Sequence, residues 1–215
     1  MSILLITSSP RGSASHSTKI ATELARTLKA ADPAATLVVR DLAAQPLPHI
    51  DSDYSAGIYT PPENRSERQA KLVGVSDEAV DELLAAETII LATGLIIFNI
   101  SSTIKSWIDH VARNGRTFSY GKEGPKGLVS GKKVYIVLAS GGVYSEGPAV
   151  KLDHAVPYLR NVLAFIGLTD VEVIRIEGVG MGPEATDAAL KKATDRVTAL
   201  ALASGTSHPA AAVAA

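Results

Sequence analysis

Short apolar segments alternate with helix-like segments along almost the whole chain, and this alternation restricts the fold more than any other feature. Five segments are rich in β-branched and aliphatic residues, as strands are: 3–6, 36–39, 88–93, 133–138 and 171–176. Between them lie segments with apolar residues at helical spacing, such as Ile20, Leu24 and Leu28. This order is typical of α/β domains with a mostly parallel sheet. We therefore predict a doubly wound, five-stranded parallel sheet in the order 2-1-3-4-5, with helices on both faces.

A serine-rich segment joins the first predicted strand to the first predicted helix. Residues 7–17 contain five serines, together with Arg11 and Gly12. A helix N-terminus presents unpaired backbone N–H groups, and short hydroxyl side chains add donors without bulk, so the segment suits a phosphate group. Arg11 would add a positive charge at the rim. The alternative is that Ser15 or Ser17 only caps the helix, although one cap needs a single serine.

The same segment lacks the signatures of two common nucleotide sites. It has no Gly-Lys-Ser or Gly-Lys-Thr ending, which a Walker A phosphate loop requires. Its single glycine, Gly12, stands alone, so the segment is not the glycine-rich dinucleotide fingerprint. Both absences favour a mononucleotide phosphate over ATP or a pyrophosphate.

Three loops should meet at one edge of the predicted sheet. In a doubly wound sheet the ligand binds beyond the carboxyl ends of the strands, at the switch between strands one and three. This rule brings together residues 8–17, the apolar segment 94–100 with its aromatic residue Phe98, and the glycine-containing segment 139–144. Glycines at a strand end let a ligand approach the backbone, although a plain turn would also use them. A phosphate socket beside an apolar slot describes a site for FMN.

Composition narrows the remaining classes of function. The formal net charge of −1 offers no attraction to nucleic acid or to an anionic membrane surface. The absence of cysteine excludes disulfides, iron–sulfur clusters and thiolate chemistry, and we expect no metal site. No apolar run reaches the length of a spanning helix and no signal peptide is evident, so we expect a cytoplasmic protein. We predict one domain over 1–204 and a disordered tail over 205–215.

Two further segments and one histidine bear on function. Residues 45–64 contain four prolines and form a long excursion, which would be a lid, a dimer contact or an ordinary surface insertion. Residues 121–131 are rich in glycine and are predicted to be a loop or a hairpin. His110 lies beside Asp109 on a predicted helix, and we expect it to be a surface histidine rather than a general base.

Longer motifs carry a family resemblance over most of the chain. They comprise the serine segment and the segments 98–109, 112–120, 124–128, 141–142, 147–148 and 158–167. On these motifs the chain resembles the FMN-dependent NAD(P)H azoreductases and quinone reductases, and the run from Phe98 to Leu128 is especially specific. The resemblance covers 3–197 and implies a flavodoxin-like α/β fold, FMN as cofactor and NADH or NADPH as hydride donor. It also implies a homodimer with both active sites at its interface.

The resemblance implies site residues position by position. The family's FMN phosphate loop corresponds in this chain to Ser9, Ser15, His16 and Ser17, with Arg11 at its rim. The flavin-ring loop matches Leu95, Ile96, Ile97 and Phe98. The loop at the pyrimidine side of the ring matches Ala139, Ser140, Gly141 and Gly142. In the family's homodimer, the positions near the partner subunit's flavin correspond to Tyr120 and Phe165 in this chain. Tyr144 follows the glycine pair and is a further candidate for substrate contact, with a plain surface position as the alternative.

The ring loop departs from the family pattern at several positions. The family usually has Pro-Met-Tyr-Asn-Phe, where this chain has Gly94-Leu95-Ile96-Ile97-Phe98. Ile97 lacks the amide that would bond the flavin near its reactive nitrogen, and Ile96 cannot stack as a tyrosine does. Backbone amide contacts can survive these substitutions. The resemblance therefore still implies flavin binding, with altered affinity, potential or substrate preference.

The resemblance implies a ping-pong oxidoreductase. NAD(P)H reduces the flavin and leaves, and an azo compound or a quinone then takes the place of the nicotinamide. We assign no side chain as a general acid or base. One alternative is a quinone or flavin reductase without azo activity. A second is a flavin-binding electron carrier with no hydride donor, although such carriers are usually strongly acidic and this chain is nearly neutral. A third is a protein that keeps the fold without the flavin.

Overall fold

The computed structural model describes residues 1–205, which form an α/β fold. This part of the chain contains the strands β1 (Ser2–Thr7), β2 (Thr36–Asp41), β3 (Thr88–Gly94), β4 (Phe118–Gly121), β5 (Gly124–Gly127), β6 (Lys133–Ser140) and β7 (Asp170–Glu177). It also contains the α-helices α1 (His16–Ala31), α2 (Ser52–Gly57), α3 (Glu67–Ala85), α4 (Ser102–Val111), α5 (Ala155–Ile166) and α6 (Pro183–Gly205).

The main sheet has the strand order β2-β1-β3-β6-β7, and every neighbouring pair in it is parallel. Counting only these five strands, the order is 2-1-3-4-5, so the prediction of a doubly wound sheet is confirmed. In the register, Leu5 of β1 lies opposite Val39 of β2 and Ile90 of β3. The interior strand β3 is buried along six of its seven residues, because helices cover both faces of the sheet.

Two apolar cores lie on opposite faces of the sheet, since successive strand side chains point to opposite sides. On one face, Leu4 and Ile6 of β1 pack with residues of α3, α4 and α5, including Trp107. On the other face, Ile3 and Leu5 pack with residues of α1 and α6. Because α1 packs against β1 and β3, its N-terminus lies at the carboxyl edge of the sheet.

Helix ends follow recognisable local signals. Ser66 and Gln69 form a capping box at the start of α3, in which each side chain bonds the other residue's backbone N–H. Ser101 caps the start of α4, where its hydroxyl oxygen accepts the Ile104 N–H at 3.3 Å. Helix α5 ends at Ile166 and is capped by Gly167, whose φ of 105° belongs to the left-handed region that glycine tolerates.

The excursion 45–64 is more ordered than an irregular loop. It contains α2, which begins after Asp51, and the Asp51 carboxylate accepts the Tyr54 N–H at 2.8 Å. Tyr54 is buried, and its hydroxyl lies 3.2 Å from the Ser76 Oγ atom on α3. The glycine-rich segment after Tyr120 is the hairpin of β4 and β5, so the hairpin alternative is correct.

The prediction that His110 is a surface histidine is wrong. His110 is fully buried, and its Nε2 atom lies 2.8 Å from the Pro48 carbonyl oxygen. Since a carbonyl can only accept, Nε2 carries the hydrogen and donates it. The excursion packs over α4 at this point and removes the imidazole from water, which the helical pattern around His110 could not indicate.

Three further results concern which residues the structure describes and which features those residues lack. The predicted tail, 205–215, lies outside the described residues except for Gly205, where α6 ends. Within residues 1–205, no helix combines the length and the apolar character needed to cross a membrane. The same residues contain no cluster of three or more His, Cys, Asp or Glu side chains suited to a metal ion.

Candidate functional site

The three loops that were predicted to meet do meet, in a cavity of about 260 Å³ at the carboxyl ends of β1, β3 and β6. The parallel pairing of these strands brings their ends to one edge of the sheet. The cavity is lined by Ser8, Ser9, Pro10, Arg11, Ser15, His16, Ser17, Gly94, Leu95, Ile96, Ala139, Ser140, Gly141 and Val179.

The serine side of the cavity presents hydroxyls that local capping does not use. Ser15 occupies the N-cap position of α1, but its side chain makes no capping hydrogen bond. Its Oγ atom lies instead 3.0 Å from the Oγ atom of Ser17, and both side chains are buried. Within residues 1–205 the N–H groups of His16, Ser17 and Thr18 have no hydrogen-bond acceptor. Simple capping therefore does not explain the segment, whereas an anion would satisfy these donors.

His16 adds a partly buried imidazole ring to the same end of the cavity. Its Nδ1 atom is buried and has no hydrogen-bond partner among the described residues. Burial lowers the pKa of His16, and the positive charges of Arg11 and Lys19 lower it further, so the ring is neutral near pH 7. In the tautomer with hydrogen on Nδ1, His16 would donate to an anion. The serine hydroxyls, free N–H groups and nearby cations together fit a phosphate group.

The ring-loop segment is a two-residue hairpin turn with a strained backbone. Ile96 and Asn99 exchange both backbone hydrogen bonds, at 2.8 and 3.1 Å. The two residues between them have positive φ angles, 45° for Ile97 and 66° for Phe98. Such a turn normally contains Asn and Gly, because other residues clash with their own backbone there. A β-branched residue at positive φ is rare, and strain of this kind clusters at functional sites.

The strained turn presents apolar side chains and free backbone donors. Ile97 is 86% exposed. Among the described residues, neither the Ile97 nor the Phe98 N–H group has a hydrogen-bond acceptor. The turn is held at its base by the Leu95 N–H, which donates to the Ala139 carbonyl at 2.8 Å. Although the side-chain amide of the family pattern is missing, the backbone donors that a flavin ring edge would need remain.

The third loop is braced by the segment that follows β7. The N–H groups of Val179 and Gly180 donate to the carbonyls of Ser140 and Gly141, at 3.2 and 2.9 Å. Gly180 allows this approach, because a Cβ atom there would lie 3.1 Å from the Gly141 oxygen. Val179 lines the cavity and was missed by the sequence reasoning. The signal was available, since β7 neighbours β6 and its carboxyl end lies at the same edge.

Several predicted site residues lie outside the cavity lining. Ile97 and Gly142 directly follow residues that line it, and Phe98 lies one position further along, but none of the three lines it. The ring of Tyr144 contacts the ring of Phe98 edge-on, with centroids 6.3 Å apart.

Tyr120 and Phe165 form a separate aromatic cluster. Both pack around Phe118 of β4, with ring centroids 5.6 and 4.6 Å from it. The structure does not bring either residue to the cavity within this single chain.

A larger groove of about 770 Å³ lies between β7 and α6. Its lining mixes aliphatic side chains with charged ones, several of which are already paired, such as Arg196 with Glu172. It has none of the buried hydroxyls or free helix donors of the smaller cavity. The smaller cavity is therefore the candidate site, because size alone does not indicate a ligand.

Comparison with known proteins identifies the family. A family model described as a flavodoxin-like fold matches residues 1–201. The chain belongs to this flavodoxin-like family. The predicted fold class is thereby confirmed from an independent direction.

Two curated relatives in the flavodoxin-like family match along nearly their whole length. A protein of Mesorhizobium japonicum named FMN-dependent NADH:quinone oxidoreductase is 72% identical over 200 residues, covering 93% of this chain and 95% of that protein. A protein of Rhizobium johnstonii with the same name is 57% identical over 202 residues, covering 94% and 98%.

A solved structure agrees with this family assignment. The crystal structure of an azoreductase from Bacillus anthracis str. Sterne matches with a TM-score of 0.86 at 30% identity, covering 94% of this chain and 98% of that one. The predicted resemblance to azoreductases and quinone reductases is therefore confirmed.

Proposed function

We propose that this flavodoxin-like protein is an FMN-dependent oxidoreductase that passes electrons from NADH to quinones and azo compounds. The observation that carries the proposal is the 72% identity, over 93% of the chain, to a protein named FMN-dependent NADH:quinone oxidoreductase. The names of the relatives favour NADH over NADPH as the donor. The azoreductase neighbour, at 30% identity, supports azo compounds as a second class of acceptor.

The lining of the cavity fits FMN in three parts. In this proposal the phosphate is held by Ser9, Arg11, Ser15, His16 and Ser17, and by the free N–H groups at the start of α1. Residues 95–98 and 139–142 would hold the isoalloxazine ring, and the free N–H groups of Ile97 and Phe98 would donate hydrogen bonds to its edge. When bound, FMN supplies the redox chemistry by accepting a hydride and passing its electrons on. The chain supplies position and keeps water from one face of the ring.

Substrate contact and assembly complete the proposal. Tyr120, Tyr144 and Phe165 bind the nicotinamide, the quinone or the azo compound, and the protein acts as a homodimer in the cytoplasm. Tyr120 is 69% exposed in the single chain, which supports a position against a second subunit. The edge-on contact between the rings of Tyr144 and Phe98 supports a position for Tyr144 beside the ring loop.

The proposal is tested by the spectrum of the purified protein, recorded before and after anaerobic addition of NADH. We expect flavin absorption bands that bleach with NADH and return when a quinone is added. Free FMN at the same concentration is the control, because its reaction with NADH should be far slower. Protein that neither carries nor takes up FMN would overturn the proposal. Bound flavin that NADH does not reduce would instead indicate an electron carrier.

A further inference from the structure

A chain of charged side chains runs from the start of α5 to the loop after β6. Asp153 is buried, and its Oδ1 atom accepts the N–H groups of Ala155 and Val156, each at 3.0 Å. Its Oδ2 atom accepts from Nη2 of Arg175 at 2.6 Å. The Nη1 atom of the same guanidinium lies 3.2 Å from Oε1 of Glu177. Arg175 therefore bridges two carboxylates that belong to different elements.

Glu177 carries this chain of contacts into the loop that contains Tyr144. Its Oε1 atom accepts the Tyr144 N–H at 2.8 Å, and its Oε2 atom accepts the Ser145 hydroxyl. Both carboxylate oxygens therefore hold the segment that follows the glycine pair. Hydrogen bonds to a charged acceptor are stronger than neutral ones, so this attachment depends on the ionised carboxylate.

The other end of the chain reaches the strained turn. His154, next to Asp153, donates its N–H to the Phe98 carbonyl at 3.0 Å. The ring of Phe98 in turn contacts the ring of Tyr144. The contacts close a circuit from the turn, through the start of α5 and Arg175, to the Tyr144 loop and back to the turn.

We propose that Arg175, with Asp153 and Glu177, sets the distance between the strained turn and the Tyr144 loop and thereby tunes quinone recognition. The inference rests on the proposed function and adds positioning residues to that site. None of the three side chains lines the cavity, so they act through Tyr144 and Phe98. Among residues 1–205 no hydrogen bond joins the serine segment to this circuit, so FMN affinity is expected to change less than quinone affinity.

The decisive variant is Arg175→Met, which keeps the aliphatic stem and removes the charge. Hydrogen–deuterium exchange, measured on the protein without substrate, reports directly on the Tyr144 amide. We expect exchange in the segment 141–147 to become about tenfold faster, because the Glu177 carboxylate loses the cation that orients it. In the FMN-loaded enzyme, KM for a quinone should rise about three- to tenfold, with kcat and the FMN dissociation constant within about twofold.

Arg40→Met is a matched control. Arg40 is comparably buried and also bridges two carboxylates, those of Glu78 and Glu82, at the β2 edge of the sheet. Its loss should lower stability by a similar amount and leave exchange at 141–147 and the quinone KM unchanged. Glu177→Gln is the second variant in case Arg175→Met does not fold, and it should raise the same exchange rate and the same KM.

The outcomes separate the inference from the proposed function. The positioning role would be overturned if the wild type is active but Arg175→Met, or Glu177→Gln in its place, leaves the exchange rate and the quinone KM unaltered. Equal changes in Arg40→Met would overturn it as well. A wild type without flavin would remove the proposed function and, with it, the meaning of the quinone KM. The exchange measurement would then still decide whether Arg175 orders the Tyr144 loop.

Discussion

At Ile97 the chain places a β-branched side chain at a φ of 45°, beside Phe98 at 66°. In the left-handed region the Cβ atom crowds its own backbone, which costs roughly 1–2 kcal/mol for an ordinary residue. The turn persists because Leu95 and Phe98 are tied to neighbouring loops through Ala139 and His154. Backbone strain held by its surroundings indicates that the turn is retained for its shape and its free N–H groups.

Replacing Ile97 with asparagine should therefore stabilise the protein. Asparagine tolerates the left-handed region, so Ile97→Asn should raise the free energy of unfolding by about 1 kcal/mol. Urea denaturation without added FMN measures the change. Ile50→Asn is the matched control, because Ile50 is also exposed but has no positive φ, and it should shift stability by less than about 0.5 kcal/mol. Equal effects of the two substitutions would show that Ile97 is not strained.

Residue-level prediction from sequence succeeded where neighbours along the chain decide the outcome. The serine segment could be located because a strand, a loop and a helix start follow one another there. The positive φ values at Ile97 and Phe98 could not be predicted, since neither residue type favours them. The surface position predicted for His110 was wrong because the burial of its ring depends on Pro48, which lies 62 positions earlier.

At the scale of elements, the β4–β5 hairpin docks on the end of α5 by direct backbone contact. A Cβ atom on Gly127 would lie 2.2 Å from the backbone nitrogen of Gly167. Only glycine allows this approach. The hairpin carries Phe118 and Tyr120, so its docking also orders the aromatic cluster that includes Phe165.

Adding one methyl group at this contact should loosen the hairpin. Gly127→Ala should lower the free energy of unfolding by about 2–3 kcal/mol, because the backbones must separate. Gly121→Ala in the same hairpin is the control, since the nearest atom to its Cβ would be the Gly124 oxygen at 3.9 Å. Thermal unfolding of both variants measures the difference. A small effect of Gly127→Ala would contradict the close approach.

The buried His110 ties the excursion 45–64 to α4 in one protonation state. Burial lowers the pKa of His110 and nearby Arg113 lowers it further, while the Pro48 carbonyl and Asp109 oppose the shift. Tyr54 packs edge-on against the ring. Protonation would place a hydrogen on Nδ1, which is buried and has no acceptor among the described residues. The folded state therefore favours the neutral ring.

This preference predicts a loss of stability in acid. Because the pKa of His110 in the folded protein lies below the ordinary histidine value of about 6.5, the folded protein keeps the ring neutral at pH values where the unfolded chain binds a proton. Stability is therefore intact above about pH 6.5 and decreases as pH falls toward the folded pKa. His110→Gln, which can still donate to Pro48, should flatten the decrease in urea midpoint between about pH 7.5 and 5.5. An unchanged pH profile in this variant would contradict the assignment. His16, whose pKa is also lowered, remains in both proteins.

At the scale of the whole molecule, the sheet order could be predicted because few arrangements satisfy the rules for parallel strands. Alternating strands and helices require right-handed crossovers, which leave the doubly wound order as a natural solution. The same rules placed the site at the carboxyl edge. They could not show that 45–64 contains α2 and packs on α3 and α4, because those contacts depend on distant side chains.

In the proposed function the serine segment holds the phosphate of FMN and the ring loop holds its ring. This division predicts how the stability of the whole fold responds to ligands. A ligand that binds only the folded state at about 100 times its dissociation constant adds about 2.7 kcal/mol of stability. For a chain of this size FMN should then raise the melting temperature by roughly 5–10 °C. Riboflavin shares the ring but lacks the phosphate, so at the same concentration it leaves the donors at the start of α1 unsatisfied and should give a much smaller shift. Equal shifts would place the affinity in the ring loop and contradict the role of Ser15, His16 and Ser17. A shift with FMN alone would show that the serine segment and α1 anchor the cofactor, which allows the ring loop to vary as it does at Ile96 and Ile97.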